Sequence, residues 1–418
     1  MPEYLTIDVP NGDPILVPAE LELQMASKLI SARIEEIYGS TSKIRTYKVS
    51  PYEGAAALYQ GLVDIFQVVT TGSSTQIAVQ LAPERIVTIY WGTLVVPTIN
   101  SEFATHYTHQ DDSFCFVVKA QYPKKFEKEV TDLLDCVDKM LNDGLLYRGS
   151  AIQMRFRDSD GDSVPFVTPK PLEISEAYSL ARYSKAIQLR LNREILPIFK
   201  NTLVLPRLGI TVKKGILLSG SYGGGKSLLV MNIVHEAMQN GWTVIYLIDA
   251  FSLSDAYKMA QRHTPCLIVV EDIDEVSRQR TARFNEMLNV IDGIASKDDR
   301  IVTVMTTNNL ASINGALRRP GRSDIILEIG SLDPETALEI LYAHLPESKS
   351  INNVQSLGSD LSKLTGASIS ELANRARMYA FARTNQEDVV VELGDLSEAL
   401  EGMVSEISLR GTLEKVVE

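Results

Sequence analysis

The spacing of apolar positions changes character twice along the chain. Up to about residue 160 helical and strand patterns are mixed. Residues 20–38 and 53–67 carry apolar side chains at three- and four-residue intervals, which predicts helices. Residues 86–96 and 114–120 are apolar runs that predict strands. Over 123–142, Phe126, Val130, Leu133, Leu134, Val137 and Leu141 fall on one face of an amphipathic helix. The run Asp158-Ser159-Asp160-Gly161-Asp162, followed by Pro165, Pro169 and Pro171, predicts a turn and then a linker over 161–172. A helix is expected from Leu172 to about Ile195, ended or bent by Pro197. Short apolar runs then alternate with helical stretches: strands at 215–218, 243–247, 266–270, 301–306 and 325–329, and helices at 228–239, 253–263 and 282–291. That alternation predicts a parallel sheet covered by helices. After Asp333-Pro334 the spacing is helical throughout, over 335–345, 357–364, 368–383 and 396–407. The expected fold is therefore α/β: a separate mixed α/β domain at 1–160, a parallel-sheet core at 173–330 and a helical lid with its tail at 331–418.

The 418 residues suffice for two or three domains with ample core. Net charge is −12, so no broad basic surface forms and a nucleic-acid partner is not favoured, although an acidic chain can still grip nucleic acid locally. Cys115, Cys136 and Cys266 are odd in number and far apart, which fits a reducing, cytosolic compartment. The N-terminus carries Pro2, Glu3 and Asp8 and has no apolar export core. The longest apolar run, 86–99, is too short for a membrane span and contains Pro97, so no membrane partner is expected.

The chemistry concentrates in four segments. Gly220-Ser221-Tyr222-Gly223-Gly224-Gly225-Lys226-Ser227 follows a predicted strand, and Leu228 opens a predicted helix. This is a phosphate-binding loop: glycines let successive N–H groups face the phosphates, Lys226 neutralises them, Ser227 can ligate Mg²⁺, and the helix presents its positive end. Next, 45 residues after Lys226, the strand 266–270 ends in Glu271-Asp272-Ile273-Asp274, which places a metal-linked and a water-activating carboxylate beside a triphosphate. The order Glu then Asp reverses the usual one. Third, the strand 301–305 leads to Thr306-Thr307-Asn308, where an amide can orient the attacking water or touch the γ-phosphate. Fourth, a Pro-Gly turn holds Arg318, Arg319 and Arg322 on a loop, and arginine suits the charge of a transferring phosphoryl group.

These four segments in this order resemble the AAA family of ring ATPases over about residues 195–383. The resemblance implies ATP hydrolysis with Mg²⁺ held at Ser227 and Glu271, Asp272 as the water-activating base and Asn308 as the sensor. It implies that Arg319 and Arg322 act as fingers into the next subunit's site, hence a homo-oligomeric ring, hexamer or heptamer. Gly209-Ile210 lies where the family brackets adenine, and 365–372, with Gly366, is similar to its second-sensor segment. Within the family, the Glu271-Asp272 order, the stretch 288–296, the run 305–308 and the short gap before the acidic strand are similar to the mitochondrial Rieske-protein translocase branch and to soluble bacterial and phage ATPases. The brief segment 248–259 holds no aromatic-hydrophobic-glycine tripeptide, Phe251 being the one candidate, so peptide threading is not expected. The expected activity is the remodelling or movement of a protein client chosen by residues 1–160. A nucleic-acid-directed loader and a nucleotide-gated scaffold with weak hydrolysis stand as alternatives.

Two further clusters read as loops. Asp158, Asp160 and Asp162 depart from a calcium loop because Ser163 takes the sixth position and Pro169 the twelfth. His106 and His109, near Asp111 and Asp112, have no cysteine or third histidine close by.

Overall fold

The computed structural model describes residues 40–156 (except 68, 83, 84, 111, 112 and 145), 170–172, 179–274, 300–385 and 389–417. It also describes 4–7, 15–18 and a few positions within 25–32 and 288–291. Within the helices predicted at 20–38 and 282–291 the described positions are helical, and the rest of both, like Asp158–Asp162, lies outside the described residues. The chain forms two compact units, Met1–Pro171 with Arg262–Thr264, and Leu172–Gln261 with Pro265–Glu418.

The first unit contains a two-stranded antiparallel ribbon, β1 (Tyr4–Ile7) with β2 (Ile15–Pro18), and a five-stranded sheet. The sheet comprises β3 (Ser40–Tyr47), β4 (Thr70–Ala82), β5 (Arg85–Val96), β6 (Ser101–Gln110) and β7 (Ser113–Pro123), antiparallel in the order β3-β7-β6-β5-β4. Helices α1 (Pro51–Phe66) and α2 (Glu127–Asn142) pack on each other and on the sheet. In α2 the expected stripe of Val130, Leu133, Leu134, Val137 and Leu141 is buried. Arg45 on β3 ties the sheet to α2 through Asp135 and Asp138. Among the described residues this unit also holds an antiparallel pair, β8 (Ala151–Met154) with β9 (Lys170–Pro171).

One expectation fails here. His106 and His109 lie on strand β6, not in a loop, paired opposite Val117 and Phe114. Asp111 and Asp112 lie outside the described residues. The segment Ser101–Gln110 hides its strand character because only Phe103, Ala104 and Tyr107 interrupt its polar residues.

This unit also buries a carboxylate beside two basic side chains. The Glu53 carboxylate, 1% exposed, lies 3.4 Å from Arg262 Nη2 and 3.6 Å from His263 Nε2. The ring of Tyr147 lies 5.0 Å from that of His263. Burial alone pushes the Glu53 carboxyl up, but Arg262 and His263 outweigh it and hold it below its usual range.

The second unit is built on β10 (Lys214–Gly220), β11 (Thr243–Leu247), β12 (Cys266–Val270), β13 (Ile301–Thr307) and β14 (Ile325–Ile329), which run parallel in the order β14-β10-β13-β12-β11. Every residue of β12 and β13 is buried, the uninterrupted apolar pattern of a sheet covered on both faces. Met305 pairs with Leu217 on one side and Val270 on the other, and β13 and β10 run on past the end of β12 to Thr307 and Gly220. Ligand crevices of open parallel sheets form at those carboxyl ends.

The helix expected from Leu172 begins later, at α3 (Lys185–Arg190), capped by Ser184. Residues 173–178 lie outside the described residues. A π turn, Leu191–Ile195, then leads into α4 (Leu196–Lys200), with Pro197 in its first turn. Proline has no N–H to give the preceding turn, and the widened turn absorbs that loss. Buried Trp242 donates from Nε1 to Thr202 Oγ1 at 3.0 Å and meets Phe199 edge-on, fixing α4 to the core. Helices α5 (Lys226–Gln239) and α6 (Leu253–Arg262) follow β10 and β11. The side chain of Phe251 lies outside the described residues. The lid comprises α7 (Pro334–His344), α8 (Gly358–Leu361), α9 (Gly366–Thr384) and α10 (Leu393–Val417), packed around Ala337, Leu341, Leu372, Ala376 and Leu396. Asp333 and Thr365 cap α7 and α9. Cys115 and Cys266 are buried, Cys136 is half-buried, and all three are free thiols.

Candidate nucleotide site

A cavity of about 400 Å³ opens where β10, β12 and β13 end. Its floor is the phosphate loop. Gly223 and Gly225 are left-handed, φ +71° and +95°, a conformation that glycine takes without steric cost. Tyr183 lies under the loop and donates from its hydroxyl to the Gly225 carbonyl at 2.9 Å. From above, the first turn of α9 closes on the same loop, Ala367 N–H donating to the Gly223 carbonyl at 3.2 Å.

Lys226, 7% exposed, donates to the Gly220 carbonyl at 2.8 Å, the Ser221 carbonyl at 2.9 Å and Asn308 Oδ1 at 2.6 Å. Asn308 in turn donates from Nδ2 to Asp272 Oδ1 at 2.9 Å. Lysine, amide and carboxylate, contributed by three different strand ends, thus form one chain of hydrogen bonds. Burial lowers the Lys226 pKa, opposed by the charges of Asp272, Asp274 and Glu271. An ammonium so desolvated gains by meeting an anion. Glu271 reaches the same cavity, and its Oε1 is buried without a hydrogen-bond partner. Beside it, burial and then the Glu271 charge push the Tyr246 phenol up.

Mg²⁺ takes one or two protein oxygens and completes its shell with phosphate oxygens and water. Ser227, exposed in the cavity wall, and the orphaned Glu271 oxygen fit that requirement. Tyr222 is 77% exposed, with its ring 5.8 Å from the Lys226 ammonium. Ser227, Leu228 and Gly366 line the cavity along with Gly223, Gly224 and Gly225, whereas Gly220 and Ser221, also expected at the site, line a second cavity.

Several expected site residues lie elsewhere. Gly209 and Ile210 do not line the cavity; Gly209 ends the 3₁₀ turn Leu205–Leu208. The edge assigned to them is built by Leu180–Tyr183, together with Ile340 and His344 from α7. Burial, then the charges of Arg377 and Arg182, depress the His344 imidazole and favour its neutral form. The tether of Tyr183 to Gly225 also delays the start of α3, because the chain dips to the loop before the Ser184 cap. Spanning 42 residues, that contact leaves no signature in sequence. Arg319 is likewise outside the cavity, exposed on its loop, and Arg322 folds back to donate to the Ala316 carbonyl at 2.9 Å. Arg318 borders that second cavity, of about 590 Å³, with Ser219, Ser221, Asn308 and Glu328.

Residues 216–331 match the model of the ATPase family associated with various cellular activities (AAA). The chain carries an AAA ATPase domain. Over 235 residues, 51% of the chain, it is 28% identical to a proteasome-activating nucleotidase of Methanococcus maripaludis, covering 56% of that protein. Over 241 residues, 52% of the chain, it is 29% identical to the ATP-dependent zinc metalloprotease FtsH of Aquifex aeolicus, covering 37% of it. The FtsH of Haemophilus influenzae is 30% identical over 219 residues, 47% of the chain and 34% of the relative. The matched part of the chain thus spans from about a third to about half of these relatives' length. Among the described residues no helix is long and apolar enough to cross a membrane.

Proposed function

We propose that the AAA domain hydrolyses ATP within a homo-oligomeric ring of six or seven copies and that the cycle moves or remodels a protein client. The observation that carries this reading is the chain from Lys226 through Asn308 to Asp272 at the mouth of a cavity whose loop also touches the lid. Incoming phosphates displace the Gly220 and Ser221 carbonyls from Lys226, and the loop N–H groups cradle them. The base of the nucleotide stacks at the edge formed by Leu180–Tyr183 and His344. Ser227 and Glu271 hold Mg²⁺, which when bound neutralises charge on the phosphates. Asp272 accepts the proton of the attacking water, and Asn308 orients that water and reads the γ-phosphate. Because Ala367 touches Gly223, loss of the γ-phosphate is felt by α9 and the lid.

Arg319 and Arg322 do not line their own chain's cavity, which favours their service to a neighbour's site. The first unit selects the client. The segment between β11 and α6 is short, a single 3₁₀ turn (Ala250–Ser252), and the sequence there has no threading tripeptide, which supports movement of a folded client, as the resemblance to the Rieske-protein translocase branch implies.

Asp272→Asn is expected to cut steady-state ATP turnover by about 100- to 1,000-fold while nucleotide still binds. Turnover at the wild-type rate would remove Asp272 from the mechanism. Arg322→Ala is expected to be similarly slow alone. Mixing the two inactive variants then decides whether the arginine acts across a seam. Recovered hydrolysis means that one chain's Asp272 works with its neighbour's Arg322, and a mixture as inactive as its parts would exclude trans action.

A further inference from the structure

Asp272 has a backbone feature that the hydrolysis scheme leaves unexplained. Its φ is +51°, left-handed. Aspartate enters this region more readily than most residues, but the right-handed region stays open to it, so a contact must select the left-handed turn. The imposing group is Thr306, 2% exposed on the buried strand β13. Its Oγ1 accepts from the Asp272 N–H at 2.9 Å, and its carbonyl accepts from the Ile273 N–H at 2.9 Å. One side chain and its own backbone therefore gather two successive amides of the turn that follows β12. Just past the end of that strand, Asn308 donates to the Asp272 carboxylate. Turn and side chain are thus held from one strand end.

We propose that Thr306 is a positioning residue for hydrolysis, its hydroxyl fixing the left-handed turn and so the place of the Asp272 carboxylate. The proposal rests on the reading of Asp272 as general base. The reversed order of the acids explains why such a device is needed. An aspartate side chain is one methylene shorter than a glutamate, so the backbone must bring the carboxylate to the water, and a misplacement of about 1 Å is costly in rate. Valine at 306 keeps the shape of threonine but leaves the Asp272 N–H without its acceptor, freeing the turn to relax toward a right-handed conformation.

The test compares Thr306→Val, Thr306→Ser and Asp272→Asn in the full chain, measuring kcat, KM for ATP, nucleotide affinity and thermal unfolding. The valine variant is expected to lose about 10- to 100-fold in kcat with nucleotide affinity and KM essentially unchanged, and serine, which keeps the hydroxyl, is expected to restore most of the rate. If valine fails to fold, Thr306→Ala is read in its place. A valine variant at wild-type kcat beside an inactive Asp272→Asn overturns the positioning role alone. So does a serine variant as slow as valine. Wild-type turnover in Asp272→Asn overturns the base assignment, and the role of Thr306 with it.

Discussion

Replacing Gly215 by alanine is expected to destabilise the AAA domain severely, although the change adds only one methyl group. Gly215 is the second residue of β10, and a Cβ built on it would lie 1.8 Å from the Arg322 carbonyl oxygen and 2.6 Å from its carbon. Both are backbone atoms, so no rotamer change relieves the clash. The loop cannot simply swing aside either. Gly215 N–H donates to Asp324 Oδ2 at 2.9 Å, and Asp324 N–H returns a bond to the Gly215 carbonyl at 2.8 Å. Asp324 Oδ1 also accepts from Gly321 N–H, and buried Ser323 donates to the Leu317 carbonyl at 2.8 Å. The arginine loop is thus laced to the edge of the strand that leads into the phosphate loop, and glycine is what lets the two backbones meet. Alanine is expected to cost about 4 kcal/mol or more, a fall of roughly 10 °C in the midpoint of thermal unfolding. In whatever fraction folds, the displaced loop should no longer complement Asp272→Asn in mixed assemblies. A midpoint within roughly 2 °C of wild type would show that the loop moves freely and that this close approach is incidental.

Gly215 also illustrates what a sequence can convey. Its place before an apolar run marks a strand, but nothing in the pattern says that another loop presses on it from 107 residues away. The same division runs through the molecule. Strands 243–247, 266–270 and 325–329 are legible from their apolar runs, and the α2 stripe from its helical spacing, because burial alone dictates them. The glycine-rich loop before α5 and the acids after β12 stand out in the sequence because phosphate chemistry calls for those residue types, and the structure brings both to one cavity. Strand β6 is hidden by polar residues on both faces. The edge of the cavity is not legible either, and Gly209-Ile210 stands in for it in the sequence, because the supporting contact of Tyr183 with Gly225 is a tertiary choice. Thr306 belongs to the same class: within the run Met305-Thr306-Thr307 it looks like strand filler, and only the φ of Asp272 reveals its task.

The second large effect is expected at Glu53, which no motif singles out. Its carboxylate is 1% exposed beside Arg262 and His263, the latter only 2% exposed. A surface ion pair is worth little because water screens it and its side chains lose entropy. Here the carboxylate is fully withdrawn from water, so removing its charge takes the anion from a guanidinium that is itself only 28% exposed. Glu53→Gln, close in volume, is therefore expected to cost about 3 kcal/mol at neutral pH, read from denaturant unfolding of the full chain. The effect should carry a pH signature. The folded-state pKa of Glu53 is held below its unfolded value, so the charged form contributes stability above the ordinary carboxyl range. That contribution is lost as pH falls through and below about 4.3. The gap between wild type and Glu53→Gln should accordingly be widest near pH 7 and narrow steadily under acid conditions. A gap that stays constant across that range would assign the loss to packing, and one below about 1 kcal/mol at pH 7 would place this buried pair with ordinary surface bridges.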